Sequence, residues 1–182
     1  MIEQLLHDIE KYQANSAQDT VLKDQFLQFI RANPGNCLLR SNLCGHLTAS
    51  AWVIDSETKS KTLLVNHVKL NRWLQPGGHA DGDSDLMRVA LKELEEETGI
   101  KAKISNQQIF DLDVHAIPWH QQVPPHLHFD VRYIFLTSAH APLIISEESR
   151  ELVWVDLTAL ESISVDQSVL WLAEKSHKLR PS

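Results

Sequence analysis

Between Leu74 and Ile100 the chain reads LQPGGHADGDSDLMRVALKELEEETGI, and this stretch constrains the fold more than any other. Asp83, Ser84 and Asp85 offer acceptors for the orphan amides of a helix start, and negative charge that suits its dipole. Gly99 stands where a left-handed C-terminal cap is wanted. Together they predict about 13 residues of helix between them. At about 100° per residue, Leu86, Met87, Ala90, Leu91 and Leu94 form one apolar arc. Glu93 falls beside Leu86, Glu97 between Leu86 and Ala90, and Glu96 just past Glu93. Arg88 and Glu95 take the opposite, solvated face.

A helix that carried glutamate only for solubility would keep it off the apolar arc. Desolvating unpaired carboxylates costs several kcal/mol, so three clustered ones call for a compensating cation. The spacing i, i+3, i+4 converges Glu93, Glu96 and Glu97 on one region. Hard oxygen donors gathered this way favour Mg²⁺ or Mn²⁺ over zinc. The rival reading is a boundary stripe paired with Lys92, Lys101 or Lys103. Gly77 and Gly78 precede the helix and let the backbone approach a ligand closely.

The rest of the chain supplies the setting. Ile2, Leu5, Leu6 and Ile9, then Val21, Leu22, Phe26, Leu27 and Ile30, recur at helical spacing. NPGN (residues 33–36) stops the second pattern, so a helical hairpin precedes the main fold. From His46 the period becomes that of strands. HLTASAWVID and KTLLVNHV flank the turn SETKS, and IFDLDVHAI, LHFDVRYIFLTS and ELVWVDL follow the acidic helix. In the fourth of these, Leu127, Phe129, Val131, Tyr133 and Phe135 share a face, which predicts a half-buried strand. DQSVLWLAEKSHKL closes the chain as a helix. The expectation is an α/β (α+β) fold with a mixed sheet between helices. Residues 1–45 would form a helical extension and 46–182 the main domain, together one compact unit.

Composition narrows the partners. A net charge of −7 over 182 residues argues against broad binding to nucleic acid or anionic membrane. An acidic chain acting on an anionic substrate needs a metal or a local basic pocket. No apolar run approaches a membrane span, and the N-terminus is unlike a signal peptide. Cys37 and Cys44 read as free thiols, which makes the cytoplasm the expected compartment.

The glycine pair, the glutamate arc and Gly99 lead to a resemblance. From Gly78 the chain resembles the Nudix hydrolase signature G-x5-E-x7-R-E-U-x-E-E-x-G-U, matching it at Glu93, Leu94, Glu96, Glu97, Gly99 and Ile100. Ser84 stands where that family has its first glutamate, and Lys92 where it has arginine. Asp83 or Asp85 could restore the missing carboxylate. Lys92 keeps the positive charge and can pair with Glu96, without arginine's planar fork. The resemblance implies a Nudix-like α/β/α sandwich over about His46–Leu160. It also implies Mg²⁺ (or Mn²⁺) held by Glu93, Glu96 and Glu97, with the Gly77 carbonyl as a further ligand and Lys92 at a catalytic position. The implied reaction is attack of water at phosphorus in a diphosphate linkage, the substrate being a small nucleotide or related organic pyrophosphate. A silent nucleotide-binding module is the alternative, kept open by Ser84 and Lys92.

Other residues are candidates on their own terms. SEESRE offers Glu148 and Glu151 as the general base, against the reading of an acidic surface loop. His79, directly after the glycine pair, is a substrate-binding candidate. So is His128, in a histidine-rich stretch with His115, His120 and His126. His126 and His128 share a strand face and could donate to phosphate or bind a metal; zinc is the minor reading there. Trp119 could stack on a base or cover a core edge. The N-terminal helices could serve a homodimer interface.

Overall fold

The structure, a computed structural model, describes residues 2–68, 71–104, 107–119, 122–147, 149–163 and 165–177. In chain order its elements are α1 (Ile2–Lys11), α2 (Ala17–Ala32), β1 (Gly45–Asp55), β2 (Lys61–His67), β3 (Arg72–Leu74) and β4 (Gly77–His79). There follow α3 (Leu86–Thr98), β5 (Lys103–Ile104), β6 (Asp111–Ile117), β7 (His126–Thr137), β8 (Ser149–Asp156) and α4 (Gln167–His177). This is the mixed α/β fold with a mixed sheet, and the N-terminal helical hairpin is present as α1 and α2. The chain divides into two compact units, and β1, α3 and β7 each contribute to both.

The first unit comprises residues 1–50, 77–90 and 107–133. Ser16 caps α2 by accepting from the Asp19 amide at 3.0 Å. Phe26, Leu27 and Ile30 of α2 are buried as their spacing predicts, but Val21 is 56% exposed, so the apolar stripe covers only the second half of that helix. Phe29 stacks on Phe129 of β7 at 3.9 Å, and Phe26 meets the same ring edge-on at 5.3 Å. The sheet of this unit runs β4–β1–β7–β6. Thr48 pairs with His79, Ser50 with Gly77, His115 with His128, and Asp113 with Asp130. Gly77 is required here: a Cβ on it would run into the Ser50 hydroxyl and the Ala49 carbonyl.

The expectation of a half-buried β7 fails in a telling way. Phe129, Val131 and Tyr133 are buried as predicted, but Asp130 and Arg132 on the opposite face are buried too, at 2% and 1% exposure. Arg132 is satisfied there by three carboxylates: Asp130 at 2.9 Å, Asp111 at 3.1 Å and Asp113 at 2.5 Å. Thr48 and Ser50 donate to Asp130 at 2.9 and 3.0 Å. An ionic network thus satisfies the buried charge on that side of the strand.

The second unit holds residues 51–76, 91–106 and 134–182. Its sheet carries β2 between β3 and β8, with β1 and β2 paired at Ile54 and Thr62. Lys59 in the SETKS turn takes a positive φ of 52°. Trp52 is fully buried, and its indole donates to Ser176 of α4 at 2.6 Å.

Candidate active site

Helix α3 has the predicted length, 13 residues from Leu86 to Thr98. Asp85 accepts from the Arg88 amide at 3.1 Å, and Asp83 accepts from the Asp85 amide at 2.9 Å. Arg88 also forms ion pairs with both acids, at 2.7 Å to Asp83 and 3.6 Å to Asp85. These are the two carboxylates that could have replaced the absent glutamate at Ser84, and both serve the helix start. Gly99 closes the helix at φ +74°, its amide donating to the Glu95 carbonyl at 2.8 Å.

The buried side of α3 is Leu86, Val89, Ala90, Leu94 and Glu97; Met87 and Leu91, expected in the same arc, are half-buried. The three glutamates are graded. Glu97 is 8% exposed, the Glu93 side chain 20% and the Glu96 side chain 57%. Lys92 lies 3.1 Å from Glu96, the expected i, i+4 pair, and 3.8 Å from Glu93. Lys101 pairs instead with Glu95 at 3.3 Å. A carboxylate as buried as Glu97 on a helix that has an exposed face available needs a cationic environment. All-oxygen donors of this kind fit a hard divalent ion.

A second cluster lies wholly in the first unit. One ligand nitrogen each from His46, His79 and His128 lies within 4.8 Å of the others. The rings are 4.8 to 5.1 Å apart, and His126 adds a fourth, 5.0 Å from His46 and 5.2 Å from His128. Burial, then the charge of Arg40 and the neighbouring His46 ring, pulls the His79 imidazole down to about 4. Burial and its neighbours His79 and His46 pull His128 to about 2. These rings are therefore neutral near pH 7. Arg40 donates twice to Asp81, two residues beyond His79, which holds that carboxyl below its ordinary range.

The structure thus brings two of the predicted substrate residues, His79 and His128, together with His46, which sequence reasoning missed. The signal existed: His46 alternates on β1 with Thr48 and Ser50, which pair with His79 and Gly77 of β4. Of the two general-base candidates, Glu151 sits not in a loop but on β8, exposed and opposite Asn66. Glu148 lies outside the described residues, as does His120. Trp119 is 64% exposed.

With this geometry in place, the chain matches the NUDIX domain model over residues 45–174. It belongs to the NUDIX family. That bears out the resemblance read from Gly78–Ile100. The NUDIX match begins where the strands begin, at Gly45, and leaves α1 and α2 outside it. Among curated proteins, the m7GpppN-mRNA hydrolase NUDT17 of Danio rerio is 32% identical over 107 residues, covering 51% of this chain and 34% of that protein. The chain therefore spans about a third of that relative's length. Among solved structures, the NUDIX domain of Shewanella oneidensis NrtR, complexed with ADP ribose, superposes with a TM-score of 0.58. It is 20% identical and covers 82% of this chain and 97% of its own. An Ap4A hydrolase of C. elegans gives 0.54 at 17% identity, covering 73% and 96%. At these identities the likeness concerns the fold.

Proposed function

We propose that this NUDIX protein is a Mg²⁺-dependent hydrolase of a diphosphate linkage in a nucleoside diphosphate derivative or related organic pyrophosphate. The observation that carries the reading is the intact trio Glu93, Glu96 and Glu97 inside the family signature, with Glu97 buried on α3. A module that only bound a nucleotide would have no use for so costly a carboxylate. The Danio rerio relative is by name a hydrolase, of m7GpppN-mRNA, which agrees with the hydrolytic part of this reading.

In this mechanism Glu93, Glu96 and Glu97 would hold the metal, with the Gly77 carbonyl as a further donor. When bound, Mg²⁺ (or Mn²⁺) would supply the charge that neutralises phosphate oxygens and lowers the pKa of water. Lys92 fixes Glu96 through their 3.1 Å pair and adds positive charge beside the carboxylates. The water proton passes to a carboxylate of the 147–151 run, Glu148 or Glu151. His79 and His128 face the substrate. The working compartment is the cytoplasm; no helix among the described residues is long and apolar enough to cross a membrane. A homodimer through α1 and α2 completes the proposed assembly.

The direct test is a panel of nucleoside diphosphate derivatives offered to chelator-treated protein, with and without Mg²⁺. Phosphorylated products should form only when Mg²⁺ is restored. Binding of nucleotide without turnover across the panel would favour the silent module.

A further inference from the structure

The hydrolase reading rests on the carboxylates and gives His46, the third imidazole of the first unit's cluster, no role. His46 is 3% exposed, and neither of its ring nitrogens has a hydrogen-bond partner among the described residues. The Asn42 carbonyl stands near the ring, but outside regular hydrogen-bond geometry. A buried imidazole with both nitrogens unmet is rare in a folded protein, and it points to a ligand that satisfies it. The nitrogens it faces belong to His79 and His128, within 4.8 Å of one another and of His46.

These three residues come from adjacent strands: His79 from β4, His46 from β1 and His128 from β7. Paired strands hold donor positions more rigidly than loops do. His126 steadies the set. Its Nδ1 lies 2.9 Å from the Pro124 carbonyl, which can only accept, so Nδ1 carries the hydrogen. The Nε2 of the same ring faces Nε2 of His128, 3.3 Å away. Such an outer contact fixes the orientation of a ligating imidazole.

We infer that His46, His79 and His128 form a site for a divalent transition metal, with Zn²⁺ the ion that three imidazoles suit best, separate in its donors from the carboxylates of α3. Tetrahedral Zn²⁺ with nitrogens at about 2.0–2.1 Å needs them about 3.3 Å apart, a contraction that ring rotation supplies. Mg²⁺ prefers oxygen and does not compete for such donors. Three protein ligands leave one position open to water or to a substrate oxygen.

The inference is tested by titrating metal-free, full-length protein with Co²⁺ while Mg²⁺ is held in large excess to fill oxygen sites. One equivalent of Co²⁺ should bind with the strong visible absorption of a four-coordinate ion, and Zn²⁺ should displace it. His79→Ala and His128→Ala, at half-buried positions, should each weaken binding by more than about 100-fold, the upper end of what even an outer-shell partner is worth. Far-ultraviolet circular dichroism confirms that each variant is folded. Glu97→Gln should leave the cobalt spectrum unchanged, which separates this site from the carboxylate one. Absence of the visible bands in folded wild-type protein would overturn the inference. So would bands that persist in both histidine variants, or that vanish only in Glu97→Gln.

Discussion

The glutamates of α3 and the imidazoles of the β4–β1–β7 face both gather donor atoms, yet the two groups are partnered in opposite ways. On α3 the acids are graded from buried Glu97 to exposed Glu96, and Lys92 stands beside two of them. On the sheet the imidazoles crowd one another, while the neighbouring acids Asp111, Asp113 and Asp130 are engaged by Arg132. The contrast teaches that charge balance is local. An acidic chain can keep one cluster of neutral nitrogen bases and one of carboxylates, each demanding a different kind of ion.

The largest expected effect probes the ion network that borders the imidazoles. Arg132→Leu strands three carboxylates, Asp111 and Asp130 buried and Asp113 half-buried, and should cost about 3–5 kcal/mol in urea unfolding. A loss under about 1 kcal/mol would mean that water reaches that face after all. The next effect is one of pH. Burial raises the Asp113 carboxyl, but His115 and Arg132 outweigh it and hold the group below its ordinary 3.8. A carboxyl depressed in the folded state contributes stability that is complete above the ordinary value and is lost as pH falls through the folded one. Unfolding free energies measured from pH 6 down to pH 2 should therefore slope less steeply for Asp113→Asn than for wild type below about pH 4. The smallest effect belongs to α3. Lys92 and Glu96 are 62% and 57% exposed, so Lys92→Met should change stability by no more than about 0.5 kcal/mol. A larger loss would show that the lysine neutralises buried charge, which is the boundary-stripe reading of the helix.

What the sequence disclosed followed from local period. The caps of α3, its 13 residues and the placing of Glu97 on its apolar arc come from positions within one element, where spacing maps directly onto faces. The apolar side of β7 was legible for the same reason. The polar side was not, because its meaning depends on strands far apart in the chain: Asp130 is 82 residues from Thr48 and Arg132 is 21 from Asp111. His46 was overlooked on that account, sitting in a strand that looked merely apolar and alternating. Strands of three residues or fewer, β3, β4 and β5, are too short to leave a period.

The central claim is that the buried end of the glutamate arc holds the ion on which hydrolysis depends. It is tested most directly by comparing wild type with Glu97→Gln at saturating Mg²⁺ on whichever diphosphate the panel identifies. Gln keeps the shape and removes the charge, so kcat should fall by at least about 100-fold with the thermal midpoint retained. Turnover equal to wild type would remove Glu97 from the site and contradict the account.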